Sequence, residues 1–201
     1  GTARRAWRVG LLEAVGALRD PLATPVLRQV LRSDGDATVV QAAAAALGSL
    51  GDAIAVRLLV AQSVVPGAKQ SAVIAGMGQC RRLAAARHLV GLLDRRPSEE
   101  LAGALIKALG ELGSAWAWET PRLAALHEGE SVRALGAPPL LDAFLRHEGA
   151  LRRAAETALL LVDAPQTTSL LDRAKVKAPA ALQAELARLA NRLAGSPLRP
   201  R

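Results

Sequence analysis

The residue types best suited to chemistry are two copies of one tripeptide, His127-Glu128-Gly129 and His147-Glu148-Gly149, which lie 20 residues apart. An imidazole beside a carboxylate can hold a divalent metal or move a proton. The same residues also have a plain use at a turn between helices, with His near C-terminal carbonyls and Glu near N-terminal amides. The single cysteine, Cys80, falls at an apolar repeat position, where a buried reduced thiol is expected in place of a disulfide or nucleophile. No Ser-His-Asp order, phosphate-cradling Gly-rich loop or clustered Cys and His spacing occurs along the chain. The expectation is a protein that is not an enzyme, with no catalytic, cofactor-binding or metal-binding residue.

Binding chemistry is the other possibility. Trp116 and Trp118 sit two apart, about 200° around a helix, so one can be buried while the other faces out. An exposed Trp is a favoured interface anchor, and the plain alternative is that Trp116 and Trp118 are both mostly covered by the irregular fifth unit. Trp7 takes an apolar position in the first helix, uncovered if the array has been cut from a longer one. Arg81, Arg82, Arg87, Arg95 and Arg96 form a basic run broken by Asp94. Its two Arg pairs fall at opposite ends of a helix over 83–94, a rise of about 18 Å, which reads as a solvated convex face. The alternative use is contact with phosphate or an acidic partner.

The net charge of +8 is unevenly distributed. Residues 1–32 hold six basic and two acidic side chains, 164–201 hold seven and two, and 33–163 hold 13 and 14. Both ends are basic and the body is neutral. Arg outnumbers Lys 22 to 4, a bias that genome composition can produce as readily as a binding need.

These residues are positioned by a repeat. Gly16, Gly48, Gly78, Gly110, Leu160 and Ala190 mark one register, at spacings of 32, 30, 32, 50 and 30 residues. The residue before each marker is apolar: Val15, Leu47, Met77, Leu109, Leu159 and Leu189. Six residues before it stand Gly10, Ala42, Ala72, Ala104, Ala154 and Ala184, all small. Self-similarity at this period signals stacked units that share a continuous core. The spacing predicts an all-α, right-handed α-solenoid of about six helix pairs over residues 1–201, a single array that is whole or a fragment of a longer protein. B helices are expected at about 4–18, 38–50, 68–80, 98–112, 150–162 and 180–194. A helices are expected at Leu22 to Arg32, Ala53 to Val64, Leu83 to Asp94, Trp116 to His127, Pro139 to His147 and Thr167 to Lys175. Gly51 and Gly113 are expected to close helices in the left-handed conformation, and Ser98 to cap one. The small column is expected at a close helix contact, which Ala104→Leu would overpack.

The 50-residue interval is the one break, an irregular fifth unit over 114–149. Its preferred reading is a regular helix over 116–127, then a stunted helix over 130–136 stopped by Pro138-Pro139, because proline inside a helix costs about 3 kcal/mol. A kinked full helix over 131–145 is the other reading.

The phrases Ala46-Leu47-Gly48-Ser49-Leu50-Gly51-Asp52 and Ala108-Leu109-Gly110-Glu111-Leu112-Gly113 resemble the short HEAT-like repeats of the phycobilisome lyase group, as does the helix from Leu151 to Leu159. The resemblance spans nearly the whole chain. It implies a HEAT-like array but no single activity, since that group includes lyases, hydroxylases, DNA glycosylases and scaffolds. The paired His-Glu motifs resemble the di-iron site of HEAT-like deoxyhypusine hydroxylases, but that pattern uses four pairs, each with a Leu-Gly shortly downstream. Here there are two pairs, and Leu135-Gly136 lies too far on. HEAT-like glycosylases hold DNA with aromatic and basic residues, and this chain has four aromatic residues in all.

In HEAT-type arrays the B helices line the concave side. The residues expected to face that groove include Gln41, Gln79, Lys107, Glu111 and Arg153, a polar set nearly balanced in charge. A groove tracking a nucleic-acid backbone would carry a basic stripe and aromatic platforms. The function expected is therefore a bacterial, cytoplasmic, non-catalytic scaffold. Its protein partner would be held by Trp116, Trp118 and that groove set. No cofactor and no membrane contact is expected, and the alternative is nucleic acid bound at the basic ends.

Overall fold

A computed structural model describes residues 1–196 of the chain. The helices are α1 (Thr2–Leu18), α2 (Thr24–Ser33), α3 (Ala37–Leu50), α4 (Ala53–Ser63), α5 (Gln70–Met77), α6 (Leu83–Leu93), α7 (Glu99–Leu112), α8 (Ala115–Trp118), α9 (Pro121–Ala124), α10 (Gly129–Arg146), α11 (Gly149–Val162), α12 (Thr167–Lys177) and α13 (Ala180–Ala194). A 3-10 turn over Pro21–Ala23 joins α1 to α2, and no strand occurs among the described residues. The fold is all-α.

Packing follows two lines. One runs through α1, α3, α5, α7, α11 and α13, each against the next, and these are the expected B helices. The other runs α4, α6, α10, α12, while α2 packs on α3. The core lies between, filled by short aliphatic side chains such as Leu27, Leu47, Leu59, Leu89, Leu105, Ile106 and Leu109. Ala-rich sequence suits this arrangement, because Ala costs no side-chain entropy in a helix and lets backbones approach. Local signals set the starts: Asp36 accepts from the amides of Thr38 and Val39 ahead of α3, and Asp52 from that of Ala55 ahead of α4. No helix among the described residues is long and apolar enough to cross a membrane.

The fifth unit corrects the sequence reading. Pro138 and Pro139 do not stop a helix; they lie inside α10, an 18-residue helix that joins the expected stunted 130–136 segment to the expected 139–147 segment. Pro138 is exposed, and Val132, Ala137, Leu140, Leu141 and Phe144 are buried. Each large apolar side chain buried is worth about 1.5–3 kcal/mol, so the core-facing side outweighs the proline penalty. The expected regular helix over 116–127 is instead two short pieces, α8 and α9. They break at Thr120, which is extended (φ −67, ψ 138) because Pro121 disfavours helical backbone in the residue before it. Helix α10 thus packs on α11 as its partner, and residues 113–128 form an insertion ahead of it.

Two further expectations change. Ser98 stands ahead of α7 but makes no side-chain cap bond, while Glu99 and Glu100 place negative charge in the first turn. Gly51 is left-handed as expected (φ 65), whereas Gly113 is not (φ −85). Glycine is needed at 113 for space, since a Cβ there would meet Val162 Cγ2 at 2.8 Å.

Close helix contacts fall at Gly76, where a Cβ would lie 2.7 Å from the Ala45 amide nitrogen and the Gln41 carbonyl of α3, and along the marker column, not along the small column six residues before the markers. A Cβ on Gly16 would lie 2.8 Å from Ala46 Cα, one on Gly48 2.9 Å from the Cys80 amide nitrogen, and one on Gly110 2.8 Å from Ala158 Cα. In the small column Ala42 and Ala72 are buried, Ala104 and Ala154 partly so, and Gly10 and Ala184 exposed. Ala104 is therefore not the overpacking site. Gly110→Ala is expected to lower stability by about 1–3 kcal/mol, because backbone cannot move aside as a side chain can. Gly10→Ala, with nothing within 4 Å of the added carbon, is expected to raise it by about 0.5–1 kcal/mol. Thermal or denaturant melts of the two variants check the contrast.

Candidate functional site

The face formed by α3, α5, α7 and α11 brings most of the expected binding residues together. Gln41, Ser71, Glu99, Glu100, Lys107 and Glu111 line a depression of about 530 Å³ floored by Ala37, Ala68, Ala72, Ala75, Gly103, Ala104 and Ala108. A second depression, about 280 Å³, adjoins it through Lys107 and Glu111 and continues over Arg153, Ala154, Thr157, Ala158 and Leu161. The floor is wide because its residues are Ala and Gly. The walls carry both signs of charge.

Gln79 lies apart, in the turn after α5, but its Nε2 donates to Glu111 Oε2 at 3.3 Å, which ties it to the edge of that face. It also borders a separate cleft of about 350 Å³, whose lining includes Arg19, Asp52, Arg81, Arg82, Arg122 and Leu126. Arg81 and Arg82 were expected on a solvated convex surface. They are instead half-buried in the turn between α5 and α6, under the α8–α9 insertion, a placement no local spacing reveals.

Of the two arrangements open to the tryptophans, the structure shows the divided one and not the covered one. Trp118 is 5% exposed and Trp116 59%. The indole Nε1 of Trp118 donates to the carbonyl of Leu112 at 3.0 Å, and a Cβ on Gly129 would touch its ring at 3.0 Å. Trp118 is thus a wedge between the end of α7 and the start of α10, and Trp116 alone is available to a partner. Trp7 is exposed as well.

The His-Glu pairs do structural work at helix ends. Glu128 accepts from the Leu83 amide at 2.6 Å and from Arg82 Nε at 3.2 Å, so it caps α6 from across the insertion while pairing with the arginine before that helix. His127 is left-handed (φ 54). His147 ends α10, its amide donating to the Ala143 carbonyl and its own carbonyl accepting from Arg152 Nε at 2.8 Å. Among the described residues no group of three or more His, Cys, Asp and Glu side chains could hold a metal ion. Cys80 is fully buried, and that burial pushes its thiol up to about 12, which leaves it protonated at neutral pH.

Sequence reading missed one pair with the look of catalysis. Ser63 Oγ lies 2.7 Å from His88 Nε2, joining α4 to α6. The serine is fully buried, with its Oγ also 2.9 Å from the Val60 carbonyl, so no substrate carbonyl can reach it and the pair ties α4 to α6. Burial, and secondarily Arg95, holds His88 below the usual histidine range. A comparison with protein-family models and with curated proteins gives no match.

Two measurements test these placements. Trp118→Ala is expected to cost about 3–5 kcal/mol of stability, against within about 0.5 kcal/mol for Trp116→Ala, as read by chemical denaturation. The depressed His88 value means the unfolded chain takes up a proton first as pH falls through 6.5. The His88 contribution is therefore present above the ordinary histidine range and lost as pH falls below it, and the pH dependence of the melting temperature should flatten in His88→Gln.

Proposed function

We propose that this chain is a non-catalytic scaffold, a right-handed α-solenoid of HEAT-like helix pairs, that binds an extended or helical segment of a protein partner along the face of α3, α5, α7 and α11. The array is five A–B pairs, α2/α3, α4/α5, α6/α7, α10/α11 and α12/α13, with α1 as a leading B helix. The B helices are the concave side.

One observation carries this reading. Two adjoining depressions run across successive B helices, with an Ala/Gly floor and walls that hold Lys107 and Arg153 beside Glu99, Glu100 and Glu111. Such a surface offers apolar burial in the middle and charges of both signs at the rim, the anatomy of a protein interface. A nucleic-acid groove needs a basic stripe, and the acidic residues here oppose it. Trp116 on the insertion is a second anchor, independent of the groove.

Photo-crosslinking residues placed at Gln41 and Arg153 in the source cell are expected to trap one polypeptide partner at both sites, while the same residue at Arg87, on α6, does not trap it. Trp116→Ala is expected to weaken that complex by about 2 kcal/mol without altering the fold. Crosslinks to nucleic acid, with affinity that falls steeply as salt is raised, would replace this reading with the basic-end alternative.

A further inference from the structure

The cleft beneath the insertion gathers charge that the fold does not neutralise. Arg19 enters it from the C-terminal end of α1, Arg81 and Arg82 from the turn before α6, and Arg122 from α9. Arg82 is satisfied: it pairs with Glu128 at 3.2 Å and donates to the Gly51 carbonyl at 2.8 Å. Among the described residues Arg19, Arg81 and Arg122 form no ion pair within 4.0 Å. Arg122 donates at 3.3 Å to the Ser49 carbonyl, and Arg81 Nη1 is buried with no hydrogen-bond partner. One carboxylate, Asp52, lines the cleft, and its Oδ1 already accepts from the Ala55 amide. Glu111 attracts Arg81 from the groove side, where Gln79 bonds it.

A surplus of three guanidinium groups over one carboxylate leaves a charge of +2 facing about 350 Å³ of space. Burial pulls the Arg81 and Arg122 values below the ordinary arginine range, Glu111 offsets part of this at Arg81 and Arg19 adds repulsion at Arg122, so a bound anion would stabilise the charged forms of both. Guanidinium groups present rigid forks of N–H donors that match the oxygens of a tetrahedral phosphoryl group. The C-terminal ends of α1 and α3 explain the presence of one or two cations here by the helix dipole, but not a third with an unpartnered buried nitrogen.

We propose that Arg19, Arg81 and Arg122 form a binding site for a dianionic phosphoryl group in the cleft between the α3 C-terminus and the α8–α9 insertion. The site is separate from the B-helix groove, and its test does not depend on a partner there. The phosphoryl group is carried either by a small molecule or by a phosphorylated side chain of a partner.

Calorimetric titration of the purified chain with inorganic phosphate and pyrophosphate, and with a phosphoserine peptide beside its unphosphorylated form, distinguishes the two sources. Saturable binding of any of the three phosphorylated ligands is expected, weakened roughly tenfold or more in Arg122→Gln and in Arg19→Gln. Arg95→Gln, which removes one charge from the far end of α6, is expected to bind as the parent does. Tighter binding of the phosphopeptide than of pyrophosphate identifies a partner side chain, and the reverse order a small molecule. Arg122 and Arg19 are exposed, an unchanged melting temperature of each variant shows that the one 3.3 Å bond from Arg122 to Ser49 is not needed for the fold, and the test does not rest on the half-buried Arg81. The proposal is overturned if no phosphorylated ligand saturates at millimolar concentration, if citrate binds as tightly as pyrophosphate, or if Arg95→Gln loses as much affinity as Arg122→Gln.

Discussion

Backbone-to-backbone approach between successive B helices is the constraint on which the rest of this structure depends. Gly16 faces Ala46, Gly48 faces the turn at Gln79 and Cys80, and Gly110 faces Ala158, in each case with no room for a Cβ. Contact at that range brings neighbouring helices close enough for mostly Leu, Val and Ala side chains to fill the space to the second line of helices, with the buried aromatic residues Trp118 and Phe144 around the insertion and α10. It also sets what the outer face of the B helices can be. Helices this close leave shallow depressions floored by Ala and Gly, so the groove has width but offers no deep pocket.

The insertion over 113–128 interrupts the order of pairs but not the contacts. Helix α11 packs directly on α7 although a complete A-type helix and the insertion separate them in sequence. What secures the detour is a set of long-range polar contacts to helix ends. Glu128 caps α6 and holds Arg82, Trp118 bonds the last carbonyl of α7, Arg122 reaches a carbonyl of α3, and Arg133 of α10 donates to the carbonyls of Val162 and Asp163 at the end of α11. Each satisfies a helix-terminal group that has no partner within its own helix. The His-Glu tripeptides belong to this scheme. Their spacing of 20 residues reflects the length of α10, whose two ends they mark.

Groove and cleft differ in how their charges are handled. On the groove, opposite charges stand side by side among small apolar residues, which suits a polypeptide with mixed side chains. In the cleft, like charges are brought together from α1, the α5–α6 turn and α9, and the nearest carboxylates are already engaged in capping or in pairing. Where a fold tolerates repulsion of that kind, an anion is the simplest source of compensation. Trp116, on the short helix α8 that follows α7, is exposed, as is Trp7 on α1.

The sequence by itself determined the helical fold class, the approximate spans of the B helices and the burial of Cys80, and the two-residue spacing of Trp116 and Trp118 allowed one to be buried and the other exposed. All of these follow from periodicity and from groups within a few residues of one another. The marker register also set Gln41, Lys107, Glu111 and Arg153 at related offsets, and those four line the depressions over α3, α5, α7 and α11. Tertiary structure decided the rest. Whether Pro138 and Pro139 stop a helix depends on how much apolar surface α10 can bury against α6, α7 and α11, which no local rule contains. Gly113 reads as a left-handed cap until Val162, 49 residues on, is seen to occupy the space. The cleft was invisible for the same reason: its arginines come from positions 19, 81, 82 and 122, and only the folding of the insertion back over α3 and the α5–α6 turn sets their charges against one another.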